Sequence, residues 1–248
     1  MNSIDAFERI FVINLPQRAD RRTEIAEQLA LVGLSFGSPN VRLFSAVRPD
    51  EPGGFDSIGA RGCFMSHLEV LRQATSLRNV LILEDDLDFV PGIDGLFRLV
   101  LQALPAAWDV FYGGCVIDLP RGNGPLTRVL PSTPLRTSHF VAFNGTVIGR
   151  LVDHLEAILR RPPGHIDGGP MHVDGAYSRF RANNPDIAVF AAIPELGYQR
   201  PSRTDIHSLR WFDRAPFVKE LIQLIRRQRA VKKRKSAVKA QVPDQSSD

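Results

Sequence analysis

Short apolar runs alternate with helical hydrophobic periodicity through the first half of the chain. Residues 10–15 and 80–83 are almost entirely apolar, as is typical of strands buried on both faces of a parallel sheet. Between them, Ile25, Leu29 and Val32 recur at the spacing of one helical turn. Strands that alternate with helices in this way predict a single α/β domain with a largely parallel central sheet.

The same patterns predict the other elements and the loops between them. The predicted strands cover residues 10–15, 41–45, 79–83, 108–112, 140–148 and 187–191. The predicted helices cover residues 18–32, 62–77, 91–104, 151–159 and 173–180. Segments rich in glycine, proline and polar residues are expected to form loops at 47–60, 118–138 and 162–172.

Three acidic residues, Glu84, Asp85 and Asp86, follow the apolar run 80–83 directly. Ligands of open α/β sheets collect at the carboxyl ends of strands. Adjacent carboxylates repel one another unless a cation neutralises them, and a hard divalent ion shared with a phosphorylated ligand is a common solution. The alternative is an acidic turn after a core strand.

An arginine-rich turn, 18–22, follows the first predicted strand. The planar guanidinium group binds phosphate oxygens in pairs, so this turn suits a nucleotide or a diphosphate. The alternative is a solvated helix start with Asp20 as a first-turn acid. A second segment, 62–67, combines a glycine with small and polar residues at a predicted helix start, where a ligand can approach the backbone closely. A lone histidine such as His67 is more often a core histidine, or one that supports a ligand residue, than a ligand itself.

The net charge of +4 is divided unevenly along the chain. Residues 1–213 carry 21 basic and 24 acidic side chains, whereas residues 214–248 carry ten basic and three acidic ones. This boundary predicts a folded domain at 1–213, a basic amphipathic helix at 214–235 and a disordered tail at 236–248. A basic tail suggests an anionic surface as partner, and residues 217–235 are expected to bind an anionic membrane.

Other features of the composition bear on the cellular location. No apolar run approaches the roughly 20 residues that cross a bilayer, and the N-terminus lacks a signal-peptide pattern. Cys63 and Cys115 form no zinc or redox motif and are expected to be reduced core thiols. These features predict a cytoplasmic protein that the basic tail holds peripherally on the inner membrane.

Three stretches occur in order: VINLPQRADRR at 12–22, GCFMSH at 62–67 and ILEDD at 82–86. Together they resemble glycosyltransferase family 25, the lipooligosaccharide-type sugar transferases, and the resemblance covers roughly residues 8–205. It implies a GT-A-like fold, a UDP-sugar donor that is commonly UDP-galactose, a divalent Mn²⁺ or Mg²⁺ ion, and inversion at the anomeric carbon.

The resemblance also implies roles for individual residues. The donor-binding residues carried over are Asn14, Arg18, Arg22, Gly62, Ser66, His67, Glu84, Asp85 and Arg203. The metal ligands carried over are Asp85, Asp86 and His207. Asp174 is the first candidate for the base that deprotonates the acceptor hydroxyl, with a helix N-terminal acid as the alternative. Asp118 and Asp167 are weaker candidates for the base.

The function that follows is transfer of a hexose, galactose first, from a UDP-sugar to a glycan acceptor such as lipooligosaccharide or another lipid-linked glycan. The first alternative is a catalytically silent carbohydrate-binding or scaffold protein of the same fold. The second is another nucleotide-dependent enzyme, although the chain has neither G-x-G-x-x-G after its first predicted strand nor G-x-x-x-x-G-K-[ST]. Nucleic acid is not expected as a partner, because the basic charge lies only in the tail.

Overall fold

A computed structural model of the chain describes residues 6–116 and 124–200. Several sequence predictions lie outside the described residues: the helix at 214–235, the tail at 236–248, and the site residues Asp118, Arg203 and His207. The domain boundary at 213 also stays a prediction. Within the described residues, no helix is both long and apolar enough to cross a membrane.

The described residues build a seven-stranded sheet and a separate two-stranded ribbon. The strands of the sheet are β1 Arg9–Asn14, β2 Val41–Ser45, β3 Asn79–Glu84, β5 Val110–Val116, β6 Leu126–Arg128, β7 Arg136–Asn144 and β8 Val189–Ala192. They lie in the order β2-β1-β3-β7-β5-β8-β6. The ribbon pairs β4 Leu87–Phe89 with β9 Gly197–Gln199.

Five of the seven strands of the sheet run in the same direction. β1 pairs in parallel with β2 and with β3, and β5 pairs in parallel with β8. β7 is antiparallel to both of its neighbours, β3 and β5, and β6 is antiparallel to β8. The predicted α/β class and the largely parallel central sheet are therefore confirmed. Residues 80–83 of β3 are fully buried, as their continuous apolar run predicts.

Five helices cover the sheet: α1 Ala19–Leu31, α2 Ile58–Gln73, α3 Ile93–Ala103, α4 Thr146–Arg160 and α5 Val173–Asn183. α1 and α3 contribute Ile25, Leu29 and Phe97 to a core cluster with alternate residues of the strands, including Val12 and Leu83. α2, α4 and α5 contact one another. The rings of Tyr177 in α5 and Phe143 lie 5.2 Å apart, centre to centre. The register of β7 places Phe143 on the face of the sheet opposite this core cluster.

The second helix starts earlier than the sequence predicts. It begins at Ile58 inside the predicted loop 47–60, because the Ser57 hydroxyl accepts a hydrogen bond from Ala60 N at 3.0 Å and caps the first turn. Gly62 therefore lies within the helix rather than at its start.

Asn144-Gly145 marks a boundary rather than an interruption of a strand. β7 ends at Asn144 and α4 begins at Thr146. Gly145 has a φ of 33° and donates its N–H to Arg78 O, a backbone conformation that favours glycine. The predicted strand 140–148 is thus wrong at its carboxyl end.

Candidate active site

The ends of three strands bring the acidic residues together with polar partners. β1 and β3 pair with Ile13 opposite Glu84, so Asn14 at the end of β1 lies beside Asp85. β7 runs in the opposite direction, and its early residue Ser138 therefore reaches the same edge of the sheet. Glu84 is the last residue of β3, whereas Asp85 and Asp86 lie in the turn that follows it.

Asp85 is held by partners from β1 and α1. Its Oδ2 accepts a hydrogen bond from Asn14 Nδ2 at 2.7 Å, and its Oδ1 accepts one from Arg21 Nη1 at 3.0 Å. Arg22 Nε donates to Asn14 Oδ1 at 3.1 Å and so fixes the orientation of that amide. Burial raises the pKa of Asp85, while the Arg21 charge and the Asn14 hydrogen bond oppose the rise.

Glu84 is held on the side of α2 and α5. Its Oε1 accepts a hydrogen bond from the Ser138 hydroxyl at 2.7 Å and lies 3.3 Å from His67 Nε2. Burial raises the pKa of Glu84, but the hydrogen bonds from His67 and Ser138 outweigh it, so the pKa lies below its ordinary value. Glu84 is thus ionised at neutral pH.

The histidine between Glu84 and α5 is fully buried. Burial raises the pKa of Tyr177 well above its ordinary value, so its hydroxyl keeps its proton, and we assign it as the donor to His67 Nδ1 at 2.9 Å. His67 Nε2 is then assigned as the nitrogen that donates to Glu84. The result is a continuous hydrogen-bonded chain from α5 to the end of β3.

Asp86 is the acidic residue with the most unusual environment. Its side chain is buried, and its Oδ2 accepts a hydrogen bond from Gln199 Nε2 at 3.1 Å and lies 3.7 Å from Arg21 Nη1. Its Oδ1 is buried and has no hydrogen-bond partner among residues 6–116 and 124–200. Burial, followed by the Glu84 charge, raises the pKa of Asp86 to about 7. A buried carboxylate oxygen without a hydrogen-bond partner favours the binding of a cation.

The predicted divalent ion fits this site at one carboxylate. The oxygens of Asp85 already accept bonds from Asn14 and Arg21, whereas Asp86 Oδ1 is available. Mg²⁺ is usually held by one or two carboxylates together with substrate phosphates and water. Asp86 is therefore the described residue that fits the ion best.

The arginine-rich turn divides into an inner and an outer part. Arg22 points inward to Asn14, and its Nη2 also donates to Pro16 O at 2.9 Å. Arg18 is partly exposed and forms an ion pair with exposed Asp20 at 2.7 Å, which is the solvated arrangement foreseen as the alternative. Its carbonyl nevertheless accepts a bond from Asn14 Nδ2 at 3.1 Å, so the turn is attached to the site.

Gly62 and Ser66 fasten the segment after β2 to α2. A Cβ atom at Gly62 would lie 2.5 Å from Val47 O. The Ser66 hydroxyl donates to Gly62 O at 2.7 Å and accepts from Val47 N at 2.8 Å. Both residues are buried. Because Gly62 has no side chain, the backbone of Val47 can approach α2 closely. Their predicted role in donor binding stays a prediction.

Asp174 is the second residue of α5 and is half-buried. Its Oδ1 accepts a bond from Gly175 N at 2.8 Å, and its Oδ2 accepts one from Thr137 N at 3.0 Å. The predicted alternative, a helix N-terminal acid, is therefore realised. Thr137 is the neighbour of Ser138, whose hydroxyl binds Glu84 Oε1, so Asp174 lies near the acidic residues. The Asp167 side chain is 67% exposed.

Four site residues were missed from the sequence: Arg21, Ser138, Tyr177 and Gln199. Arg21 had a signal, since it precedes Ile25 and Leu29 by whole helical turns and all three are buried on one stripe of α1. Gln199 reaches Asp86 because β9 pairs with β4, a contact between distant segments that no local pattern indicates.

Comparison with known proteins gives matches over part of the chain. No family model matches. The chain is 32% identical over 129 residues to a glycosyltransferase 25 family member of Drosophila melanogaster, which aligns 44% of this chain with 21% of that protein. It is 28% identical over 129 residues to the human inactive glycosyltransferase 25 family member 3, covering 44% of this chain and 22% of that protein.

A third relative is a glycosyltransferase 25 family member of Anopheles gambiae, 29% identical over 138 residues, with 44% of this chain and 22% of that protein covered. Among solved structures, a glycosyltransferase involved in glycosylation of the major capsid of PBCV-1 aligns with a TM-score of 0.35 and 13% identity, over 75% of this chain and 91% of that chain.

The chain spans about a fifth of the length of the curated relatives that it matches. The resemblance indicated by the three sequence motifs is confirmed: over somewhat less than half of its length, this chain is similar to glycosyltransferase 25 family members.

Proposed function

We propose that the protein transfers a hexose, galactose first, from a UDP-sugar to a glycan acceptor, with inversion and with the help of a divalent ion. The observation that carries this proposal is the buried Asp86 carboxyl group, whose Oδ1 has no partner within the described part of the chain. It lies at the carboxyl edge of β1 and β3, where α/β folds bind nucleotides. The names of the relatives support the same class of reaction.

Each residue of the edge then has a part in holding the donor. Asp86 would bind the divalent ion, which neutralises the charge that develops on the leaving diphosphate. Arg21 and Asn14 keep Asp85 in place beside it. Arg18, whose present partner Asp20 is exposed, can exchange that carboxylate for a diphosphate oxygen, since guanidinium binds both anions in the same geometry.

Inversion requires a base on the face of the sugar opposite the diphosphate, because the acceptor hydroxyl loses its proton as it attacks. We assign this role to Asp174. The two backbone N–H groups that bind its oxygens fix the carboxylate in position, and each oxygen keeps a second lone pair. Replacing Asp174 by Asn keeps the shape and removes the proton acceptor.

For Asp174→Asn we expect kcat to fall by about 10²–10⁴ with the KM for the donor almost unchanged. Steady-state kinetics measure both values, and thermal unfolding controls for loss of the hydrogen bond from Thr137 N. An unchanged kcat would move the role of base to Asp118, to Asp167 or to another group.

A donor screen tests the proposed activity as a whole. The full-length chain is incubated with UDP-galactose, UDP-glucose and other UDP-sugars, and UDP release is measured with and without a glycan acceptor. In parallel, the midpoint of thermal unfolding is measured with UDP, with Mn²⁺ and with both. We expect a shift by UDP that depends on the metal, and release that is fastest from UDP-galactose. The absence of any UDP-induced shift would contradict the proposal.

A second candidate function is binding of the same ligands without transfer. One relative is named inactive although it aligns as well as the others, which is the observation that favours this candidate. It predicts metal-dependent stabilisation by UDP together with no UDP release from any donor. The intact acidic residues Glu84, Asp85 and Asp86 favour the enzyme.

For the acceptor, we propose a lipid-linked glycan at an anionic membrane surface, with the protein located in the cytoplasm and held there by residues 217–235. The support for this is the composition of the chain, since residues 214–248 carry ten basic side chains against three acidic ones. Each Lys or Arg close to an anionic surface contributes about 1 kcal/mol at low salt. The proposal needs no nucleic acid partner.

A further inference from the structure

A thiol, an imidazole and a carboxylate converge beside the end of β3. The ligand-type atoms of Cys63, His67 and Glu84 lie within 4.8 Å of one another. We propose that these three side chains form a binding site for a soft divalent cation, Zn²⁺. This site is separate from the hard-ion position proposed at Asp86, and it goes beyond the proposed glycosyl transfer.

Two rigid elements supply the three ligands. Cys63 and His67 are four residues apart in α2, so their side chains lie one turn apart on the same face of the helix. Glu84 is the last residue of β3, whose preceding residues are fully buried. A site built on a helix and a central strand keeps its geometry better than one built on loops.

The distances suit zinc. His67 Nε2 and Glu84 Oε1 are 3.3 Å apart. Bonds of 2.0–2.2 Å in a tetrahedral zinc site place a nitrogen and an oxygen ligand about 3.3–3.5 Å apart. This pair therefore already has the required separation, and the sulfur of Cys63 lies within 4.8 Å of both atoms. Thiolate, imidazole and carboxylate together are a ligand set that Zn²⁺ prefers over Mg²⁺.

Partners behind the ligands fix their orientation. Tyr177 binds His67 Nδ1 at 2.9 Å, and the Ser138 hydroxyl binds Glu84 Oε1 at 2.7 Å. Such contacts normally hold the ligands of a metal site in place. Cys63 and Glu84 are partly exposed, which gives the ion a route to the site.

Zinc binding changes the protonation of two ligands. The His67 proton moves from Nε2 to Nδ1, where it is donated to the Tyr177 oxygen, and Nε2 gives its lone pair to the ion. The Cys63 thiol releases its proton to solvent, so one proton leaves per ion bound. Three protein ligands leave the fourth tetrahedral position for a water molecule.

Cobalt is a spectroscopic probe for this site. Co²⁺ is titrated into the full-length chain, and absorption is followed in the near-ultraviolet, where a thiolate bound to cobalt gives a charge-transfer band. We expect the band to saturate at one Co²⁺ per chain and to disappear when Zn²⁺ is added. Cys63→Ser should lack the band. Cys115→Ser is the matched control, because it removes the other cysteine of the chain and should keep the band.

Two further variants separate this site from the one at Asp86. Glu84→Gln should keep the band but bind Co²⁺ at least about tenfold more weakly, because it removes one ligand and keeps the thiolate. Asp86→Asn should leave the band and the Co²⁺ affinity unchanged. A full-length chain without the band at saturating Co²⁺, or a Cys63→Ser variant that keeps it, would overturn the proposal, whatever the protein does with UDP-sugars.

Discussion

Glu84, Asp85 and Asp86 are consecutive, yet each carboxylate has different partners. Glu84 accepts bonds from the α2 side, where His67 lies, and Asp85 accepts bonds from Asn14 and Arg21. Asp86 Oδ1 has no partner in the described segments. Replacement by Asn should therefore stabilise the fold at Asp86 and destabilise it at Asp85.

The raised pKa of Asp86 predicts a stability that depends on pH. Its folded pKa of about 7 exceeds the ordinary 3.8, so between these values the folded chain binds a proton that the unfolded chain has lost. Ionisation of Asp86 therefore lowers the free energy of unfolding. This loss is absent below about pH 4, grows as the pH rises and is complete above about pH 7, where it reaches at most about 4 kcal/mol.

Asp86→Asn removes this cost. We expect the variant to exceed the original chain in free energy of unfolding, by more at about pH 8 than at about pH 5. Denaturant unfolding of both metal-free proteins at the two pH values measures the difference. A gain that is the same at both values, or a loss at about pH 8, would contradict the raised pKa.

Asp85→Asn is expected to do the opposite. The new amide keeps one acceptor oxygen and places an N–H group at the position of the other, so either Asn14 Nδ2 or Arg21 Nη1 loses its buried acceptor. We expect a loss of roughly 1–3 kcal/mol, measured in the same unfolding experiment. Equal stability of the Asp85→Asn variant and the original chain would show that the lost bond contributes little.

Arg21 and Arg18 form a second matched pair. Arg21 is 8% exposed, and its replacement by Met leaves Asp85 and Asp86 adjacent without their cation, which we expect to cost about 3–5 kcal/mol. Arg18→Met removes a pair with exposed Asp20 and should lower the unfolding midpoint much less than Arg21→Met does, because exposed ion pairs contribute little. Similar losses in the two variants would refute the assignment of Arg21 as the inner arginine.

At the level of elements, the apolar pattern predicts the strands and helices whose formation depends on the local sequence. β3 follows from its continuous apolar run, and α1 from its one-turn periodicity. The pattern placed the start of α2 four residues too late, because the capping hydrogen bond of Ser57 overrides the loop-like composition around it. β4 and β9 were missed, since each has three residues and exists only through pairing with the other.

Two helical glycines test how α2 is fastened to the segment after β2. Gly62→Ala would place a Cβ atom 2.5 Å from Val47 O, and this backbone has to move. We expect a loss of about 1–3 kcal/mol. Gly149→Ala, in α4, meets nothing within 4 Å and should stabilise by about 0.5–1 kcal/mol. Thermal or denaturant unfolding decides, and a stabilising Gly62→Ala would show that the segment yields easily.

At the level of the whole molecule, the uneven distribution of charge predicts that the folded domain and the basic tail have different roles. We expect the full-length chain to bind anionic vesicles at low salt and to release them at high salt. Deletion from Arg226 should abolish this binding while activity on a soluble acceptor survives. Co-sedimentation with anionic and neutral vesicles measures it, and equal binding by both chains would refute the role of the tail.

The location of the acidic edge was predictable from the sequence, because a continuous apolar run predicts a buried strand and the three carboxylates follow it directly. Its partners were predictable only in part. Asn14 and His67 follow from the motifs, whereas the pairing of Asp85 with Arg21 and of Asp86 with Gln199 depends on packing between distant elements. Residues outside the described segments, such as His207, stay predictions.

The central claim is that Asp86 is part of a site for glycosyl transfer. The most direct test is the rate of UDP release from UDP-galactose, with Mn²⁺ and a glycan acceptor, by the original chain and by Asp86→Asn, with Arg98→Met as a control on the exposed surface of α3. We predict a rate about 10²–10³ lower for Asp86→Asn, in a protein that is folded and at least as stable, and an unchanged rate for the control. UDP release by Asp86→Asn within about twofold of the original chain would contradict the claim.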